Sequence, residues 1–117
     1  MLKQYAIAEK SYQKALSIFL ENKSFEPDDI KKLSAGIYHQ LGFVAQQQRQ
    51  WDQARQYLLE TLKISAEFSD QHVLSITLRT LARLWEDSGD KNLPAATAPI
   101  LSSTPEEVTE LLRGLLD

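Results

Sequence analysis

Apolar residues recur every three or four positions along most of the chain, which is the spacing of one face of an α-helix. Residues 3–22 carry the first such stripe, which consists of Tyr5, Ala8, Tyr12, Ala15, Leu16 and Phe19. The pattern breaks over residues 22–29, where Pro27 and the two carboxylates after it suit the first turn of the next helix. The chain contains no alternating run of β-branched residues of the kind that would predict a strand.

The same spacing predicts three further long helices. The second runs from about Pro27 to Gln48 and buries Ile30, Leu33, Ile37, Leu41, Val44 and Ala45. The third runs from about Trp51 to Phe68 and buries Trp51, Ala54, Tyr57, Leu58, Leu62 and Ile64. The fourth spans about Gln71 to Asp87, ends at Ser88, Gly89 and Asp90, and buries Leu74, Leu78, Leu81, Ala82 and Trp85. The second and third helices are joined by only a few residues, which predicts an antiparallel pair.

The last third of the chain predicts two shorter helices. Residues 93–101 form a short helix that begins with Pro94 and is disturbed near Pro99. Thr104, Pro105 and Glu107 then give a start signal, with threonine as the N-cap, proline at the first helical position and glutamate closing a capping box. The final helix runs from Pro105 to about Leu116 and buries Val108, Leu111, Leu112 and Leu115.

The helical segments resemble one another at fixed offsets. Tyr5, Ala8, Tyr12 and Ala15 align with Trp51, Ala54, Leu58 and Thr61 at an offset of 46 residues, and Leu41 and Gly42 align with Leu81 and Ala82 at an offset of 40. Such self-similarity predicts a repeat of two antiparallel helices, which stack because no single unit buries its own apolar face. The fold class is therefore all-α, a superhelical solenoid of about six helices with a capping helix at the C-terminal end.

One unit resembles the tetratricopeptide repeat (TPR) family. That motif places an aromatic, a leucine and a glycine on the first helix, and an alanine, an aromatic and a second alanine on the second helix. This pattern is followed by Tyr38, Leu41, Gly42, Ala45, Trp51 and Ala54, with Leu58 and Thr61 in the later slots. The following unit departs from it, because Pro94 stands where the family alanine is expected. We therefore divide the single domain, residues 1–117, into a partial repeat (3–22), a full repeat (28–68), a degenerate repeat (71–101) and a capping helix (104–117).

The overall style is similar to the C-terminal part of longer bacterial, and more narrowly cyanobacterial, repeat proteins. In that group the repeats often follow a nucleotide-dependent signalling domain or a protease-like domain, and the resemblance implies a scaffold for signalling. Because the chain opens on the second helix of a repeat, we expect a fragment whose first helix lacks its neighbour and promotes homodimer formation. The alternative is that Met1 is the true start and the first helix docks as a cap.

Composition and charge narrow the range of possible functions. The formal charge of −3 gives no attraction to nucleic acid, and no apolar run approaches the roughly 20 residues that a membrane span needs. Cysteine is absent, which excludes disulfides and thiolate chemistry and leads us to expect the cytoplasm. Since no nucleophile arrangement, phosphate loop or metal spacing occurs, we predict no enzyme, no catalytic residue, no metal and no cofactor.

By analogy with the family, ligands would lie in the groove lined by first helices. The resemblance maps this groove onto His39, Phe43, Gln46 and Gln47 of one repeat and Arg79, Arg83 and Glu86 of the next. Arg79 and Arg83 are four residues apart and could present two guanidinium forks to an anion. The alternative for these two arginines is a solvated face on which Arg83 pairs with Glu86 or Asp87. The resemblance does not extend to the carboxylate-clamp subfamily, because the lysines and asparagines that this subfamily needs in defined slots are absent here.

Other candidates have simpler structural explanations. The alternative to ligand contact by His39 is a surface histidine without a role. His39 and His72 are too far apart in sequence to suggest a metal-binding pair. Trp51 and Trp85 occupy slots that pack between helices, so we expect them in the core. The sequence thus predicts a module that binds a partner protein or peptide. The alternative is a structural array terminus that self-associates or packs against a neighbouring signalling domain.

Overall fold

A computed structural model describes residues 2–21 and 26–116, with side chains described from residue 4 onward. Six helices account for nearly all of this part of the chain: α1 (Leu2–Glu21), α2 (Pro27–Gln47), α3 (Trp51–Glu67), α4 (Gln71–Ser88), α5 (Leu93–Thr97) and α6 (Pro105–Leu116). The all-α prediction is confirmed. Met1, residues 22–25 and Asp117 lie outside the described residues, and with them the first part of the predicted break between the first two helices.

α2 and α3 form an antiparallel pair. The Thr61 hydroxyl of α3 donates to the Ala35 carbonyl of α2 at 3.2 Å. Closer to the turn between the helices, the rings of Tyr38 and Tyr57 stack with their centroids 6.2 Å apart. The turn ends α2 through a hydrogen bond from the Gln50 amide to the Ala45 carbonyl, and Arg49 adopts a left-handed φ of 59° within it. This short closed turn is what folds α3 back along α2.

α4 runs parallel to α2 one repeat further along the chain. His39 meets Thr80 and Gln46 meets Asp87, and both contacts join residues 41 positions apart. A constant separation means that the two helices run in the same direction in register. α1, α2, α3 and α4 stack in chain order, whereas α6 packs against α4 and α5 packs against α6.

The core is a layer of aliphatic side chains contributed by α2 to α6. Its fully buried leucines come from five helices: Leu41, Leu58, Leu62, Leu81, Leu84, Leu93 and Leu112. Trp51 and Trp85 are partly buried and pack against this layer. The expectation that both tryptophans contribute to the core therefore agrees with their positions.

The C-terminal helices follow the predicted signals closely. The Thr104 hydroxyl accepts from the Glu107 amide at 3.2 Å, and the Glu107 carboxylate accepts from the Thr104 amide at 3.0 Å. These two bonds form the predicted capping box at the start of α6. α5 ends at Thr97, four residues earlier than expected, because Pro99 has no N–H with which to continue the helix.

Two predicted core positions are wrong. Leu33 keeps 46% of its surface exposed, and Leu111 is also exposed. Each lies one residue before a buried position, Ser34 and Leu112, and successive helical residues point about 100° apart. At the first site the buried side of α2 carries the small Ser34 and Ala35, while Leu33 points away from it.

None of the helices in the described ranges has the length and apolar character required to span a membrane.

Candidate functional site

A groove of about 280 Å³ lies between α2 and α4. Five of the residues predicted for the binding groove line it: Phe43, Gln46, Gln47, Arg79 and Arg83. Ile76, Thr80 and Asp87 complete the lining. The parallel packing of α2 and α4 produces this arrangement, because it sets the same outward face of two successive repeats side by side.

His39 lies at one side of the groove and links the two helices. Its Nε2 is 3.2 Å from the Thr80 hydroxyl, which itself donates to the Ile76 carbonyl at 3.1 Å. The Thr80 oxygen is therefore left to accept a hydrogen bond from the Nε2–H of the imidazole. Burial lowers the pKa of His39 below its ordinary value of 6.5. This histidine joins neighbouring repeats and is not the isolated surface residue considered as its alternative.

Arg79 and Arg83 are exposed on the α4 side of the groove. Within the part of the chain that the structure describes, neither guanidinium forms an ion pair with a carboxylate. Pairing of Arg83 with Glu86 or Asp87, the alternative for this face, is therefore not found. Two cations four residues apart on one helical face remain available to an anionic group.

Exposed lysines elsewhere on the chain form ion pairs, in contrast to Arg79 and Arg83. Lys31 contacts Glu67 at 3.1 Å, and Lys63 contacts Glu60 at 3.5 Å, around a more apolar depression of about 300 Å³ between α1, α2 and α3. Cations beside that depression are neutralised by neighbours on the same chain. The groove between α2 and α4 differs because its arginines are unpaired.

Gln46 is the most buried polar residue of the groove, with only 8% of its surface exposed. Its amide nitrogen donates to the Asp87 carboxylate at 3.5 Å, whereas its Oε1 is buried and has no hydrogen-bond partner in the described structure. A buried carbonyl oxygen without a partner costs free energy, and such groups are uncommon in folded proteins. The groove therefore contains one acceptor that its own residues leave unsatisfied.

Glu86 does not line the same groove. It borders a neighbouring depression of about 380 Å³, together with Arg83, Asp87, Leu115 and Leu116. The end of α6 thus lies next to the arginine end of the groove, an arrangement that motif spacing could not predict.

Sequence reasoning missed Ile76, Thr80 and Asp87. The signal for them was present, since Ile76 precedes Arg79 by three residues and Asp87 follows Arg83 by four, which places them on one helical stripe. Extending the arginine pair by one turn in each direction would have found Ile76 and Asp87, and Thr80 follows Ile76 by four residues on the same stripe. The apolar Ile76 side chain is exposed on this stripe of α4, and Phe43 is exposed across the groove on α2.

A family model described as the tetratricopeptide repeat matches residues 33–92, slightly more than half of the chain. No curated protein matches, and no solved structure matches. Among residues 2–21 and 26–116, no group of three or more histidine and carboxylate side chains could hold a metal ion.

Proposed function

Because the chain belongs to the tetratricopeptide repeat family, whose repeats generally mediate protein–protein interactions, we propose that the groove between α2 and α4 binds a segment of a partner protein. Its contact residues are His39, Phe43, Gln46, Gln47, Arg79, Arg83 and, at the flank, Glu86. Repeats of this family are typically non-catalytic. We accordingly assign the groove to recognition and propose no reaction for it.

The unpaired state of Arg79 and Arg83 beside exposed apolar side chains is the observation that carries this proposal. Phe43 keeps 44% of its surface exposed, and Ile76 across the groove is also exposed, so both can be desolvated by a bound apolar side chain. The two guanidinium groups can orient a carboxylate of the same segment through paired N–H donors. A segment that combines an acidic and an apolar residue fits these contacts.

A selection from a random peptide library displayed on phage tests the proposal. Peptides retained by the immobilised protein are synthesised, and their affinities are measured by fluorescence anisotropy. We expect retained peptides to be enriched in acidic and apolar residues, and the double substitution Arg79→Glu and Arg83→Glu to weaken them at least about tenfold.

The chain offers a matched control for that charge reversal. Lys10 and Lys14 are also exposed cations four residues apart, but they lie on α1, outside the groove. Their joint replacement by glutamate changes the net charge by the same amount and should leave peptide affinity within about twofold. An equal loss of peptide affinity in both double variants would show that the change in net charge causes the loss, and would contradict the proposal.

A second candidate function is self-association through α1. Ile7 keeps 58% of its surface exposed, and Ile18, three helical turns later on the same side, is similarly exposed. We propose this face as a homodimer contact. Light scattering over a concentration series should give a dimer that dissociates on dilution, and Ile7→Lys with Ile18→Lys should give a monomer. A wild-type monomer at every concentration would exclude this candidate.

A further inference from the structure

We propose that the groove contains a subsite for a basic side chain of the bound segment, formed by Gln46, Asp87 and Trp51. This inference rests on the proposed function and specifies the ligand further: a lysine or arginine close to the carboxylate that Arg79 and Arg83 receive. The three residues line a depression of about 580 Å³ at the turn between α2 and α3, together with Gln47 and Arg49.

The unsatisfied Gln46 oxygen favours a ligand group that donates a hydrogen bond. Its contact with Asp87 favours this amide orientation, because turning the amide round would set a carbonyl oxygen against a carboxylate oxygen. Oε1 therefore remains an acceptor, and it is buried without a partner in the described structure. Only an N–H or O–H group can satisfy it, and an ionised carboxylate has no such group.

Asp87 adds charge to this acceptor. Its carboxylate receives one hydrogen bond, from Gln46, and forms no ion pair within the described ranges of the chain. Accepting capacity remains, since an ionised carboxylate offers about four lone-pair sites. A positively charged donor placed between Asp87 and Gln46 would satisfy both residues with charge-assisted hydrogen bonds.

Trp51 supplies an aromatic surface in the same depression. The indole is partly buried against the core, and its remaining surface lines the depression. Ammonium and guanidinium groups bind favourably over the face of a tryptophan ring. Arg49 is the cation of this lining, and its exposed side chain at the turn lies in solvent, where its charge is screened.

The basic subsite adjoins the arginine pair. Gln46, Gln47 and Asp87 line both the depression beside Trp51 and the groove that contains Arg79 and Arg83. A single extended segment can therefore reach both, with opposite charges on neighbouring side chains. This order of charges would distinguish its partners from uniformly acidic segments, which place a carboxylate against Asp87.

Titration of the ¹⁵N-labelled protein with two isosteric probes tests the subsite by NMR. N-acetyl-arginine methylamide carries a guanidinium group, and N-acetyl-citrulline methylamide replaces it with a neutral urea group. We expect the arginine probe to give saturable shifts at the Gln46 side-chain amide and the Trp51 indole N–H. The citrulline probe and the Asp87→Asn variant should each bind at least about tenfold more weakly.

Glu110→Gln is the charge-matched control, because it removes an exposed carboxylate of α6 that does not line the depression. It should leave the shifts and the affinity unchanged, and thermal unfolding monitored by circular dichroism shows whether Asp87→Asn retains the fold. The subsite is refuted if no saturable shifts occur at these two groups, if citrulline binds as well as arginine, or if Asp87→Asn leaves the affinity unchanged. Binding of N-acetyl-aspartate methylamide at the same two groups would also refute it, since that would identify an anion site.

The basic subsite and the proposed function can be refuted separately. Library peptides that depend on Arg79 and Arg83, combined with no response to the arginine probe, would overturn the basic subsite alone. A specific response to the arginine probe without any library peptide would overturn the proposed binding of a segment through the arginine pair.

Discussion

Gly42 on α2 and Leu58 on α3 lie so close that no side chain fits between them. A methyl group built on Gly42 would lie 2.7 Å from Leu58 Cγ and 2.8 Å from its Cδ2. Leu58 is fully buried and cannot move aside without disturbing the core around it. The absence of a side chain at Gly42 is therefore what allows α2 and α3 to approach at this point.

Gly42→Ala should destabilise the fold despite the better helix propensity of alanine. Overpacking in a core costs about 1–3 kcal/mol, whereas the gain in propensity is about 1 kcal/mol, so we expect the free energy of unfolding to fall by up to about 2 kcal/mol. Urea denaturation measures this change. Gly36→Ala in the same helix is the control, because nothing lies within 4 Å of a methyl group there, and it should raise stability by about 0.5–1 kcal/mol. Equal effects at the two glycines would contradict the packing argument.

The sequence was sufficient to predict the helices and their pairing, for identifiable reasons. Helical periodicity located the four long helices, and the short connection after α2 required an antiparallel pair. The capping box at Thr104 and Glu107 gave the start of α6 to the residue, because both of its bonds are local in sequence.

Contacts between repeats were harder to predict. Periodicity shows which face of a helix is apolar, but it does not show which part of that face the next helix covers, so the prediction of Leu33 in the core is wrong and its neighbour Ser34 is the buried residue. The bond from Gln46 to Asp87 joins residues 41 positions apart and depends on the register of α2 against α4. The family motif mapped Gln46 to the groove, but its unsatisfied oxygen follows only from the packed structure.

Thr104→Ala should lower the free energy of unfolding by about 1 kcal/mol. The substitution leaves the Glu107 amide without its acceptor at the exposed start of α6. Because α6 packs on α4 and α5, loss of the cap should lower the free energy of unfolding measured from the main cooperative transition in thermal or urea unfolding. Thr109→Ala is a useful comparison, since its hydroxyl only donates to the Pro105 carbonyl within the same helix. A loss as large from Thr109→Ala would argue against a specific contribution from the cap.

His39 should make the stability depend on pH. In the unfolded chain its imidazole takes up a proton near the ordinary pKa of 6.5, whereas burial lowers the pKa in the folded state. Between these two pKa values the unfolded state binds more protons, so this residue's contribution to the free energy of unfolding falls as the pH decreases below about 6.5. Above that pH the histidine is neutral in both states and the penalty is absent.

Urea denaturation of the wild type and of His39→Gln between about pH 5 and pH 8 measures this contribution. The substitution removes the titrating group, so the stability of the wild type relative to the variant should decline as the pH is lowered. The other titrating groups are common to both proteins and cancel in this difference. A difference that stays constant across the range would show that the imidazole does not titrate differently on folding.

Phe43→Ala should separate binding from stability. Phe43 is exposed in the groove, so its truncation should change the free energy of unfolding by no more than about 0.5 kcal/mol. Removal of an aromatic anchor should nevertheless weaken selected peptides about tenfold or more, because its apolar surface is desolvated only in the complex. Leu33→Ala is the matched control, since Leu33 is equally exposed on α2 but does not line the groove. Anisotropy titrations should therefore show a loss with Phe43→Ala alone; the same loss with Leu33→Ala would locate peptide binding elsewhere on α2.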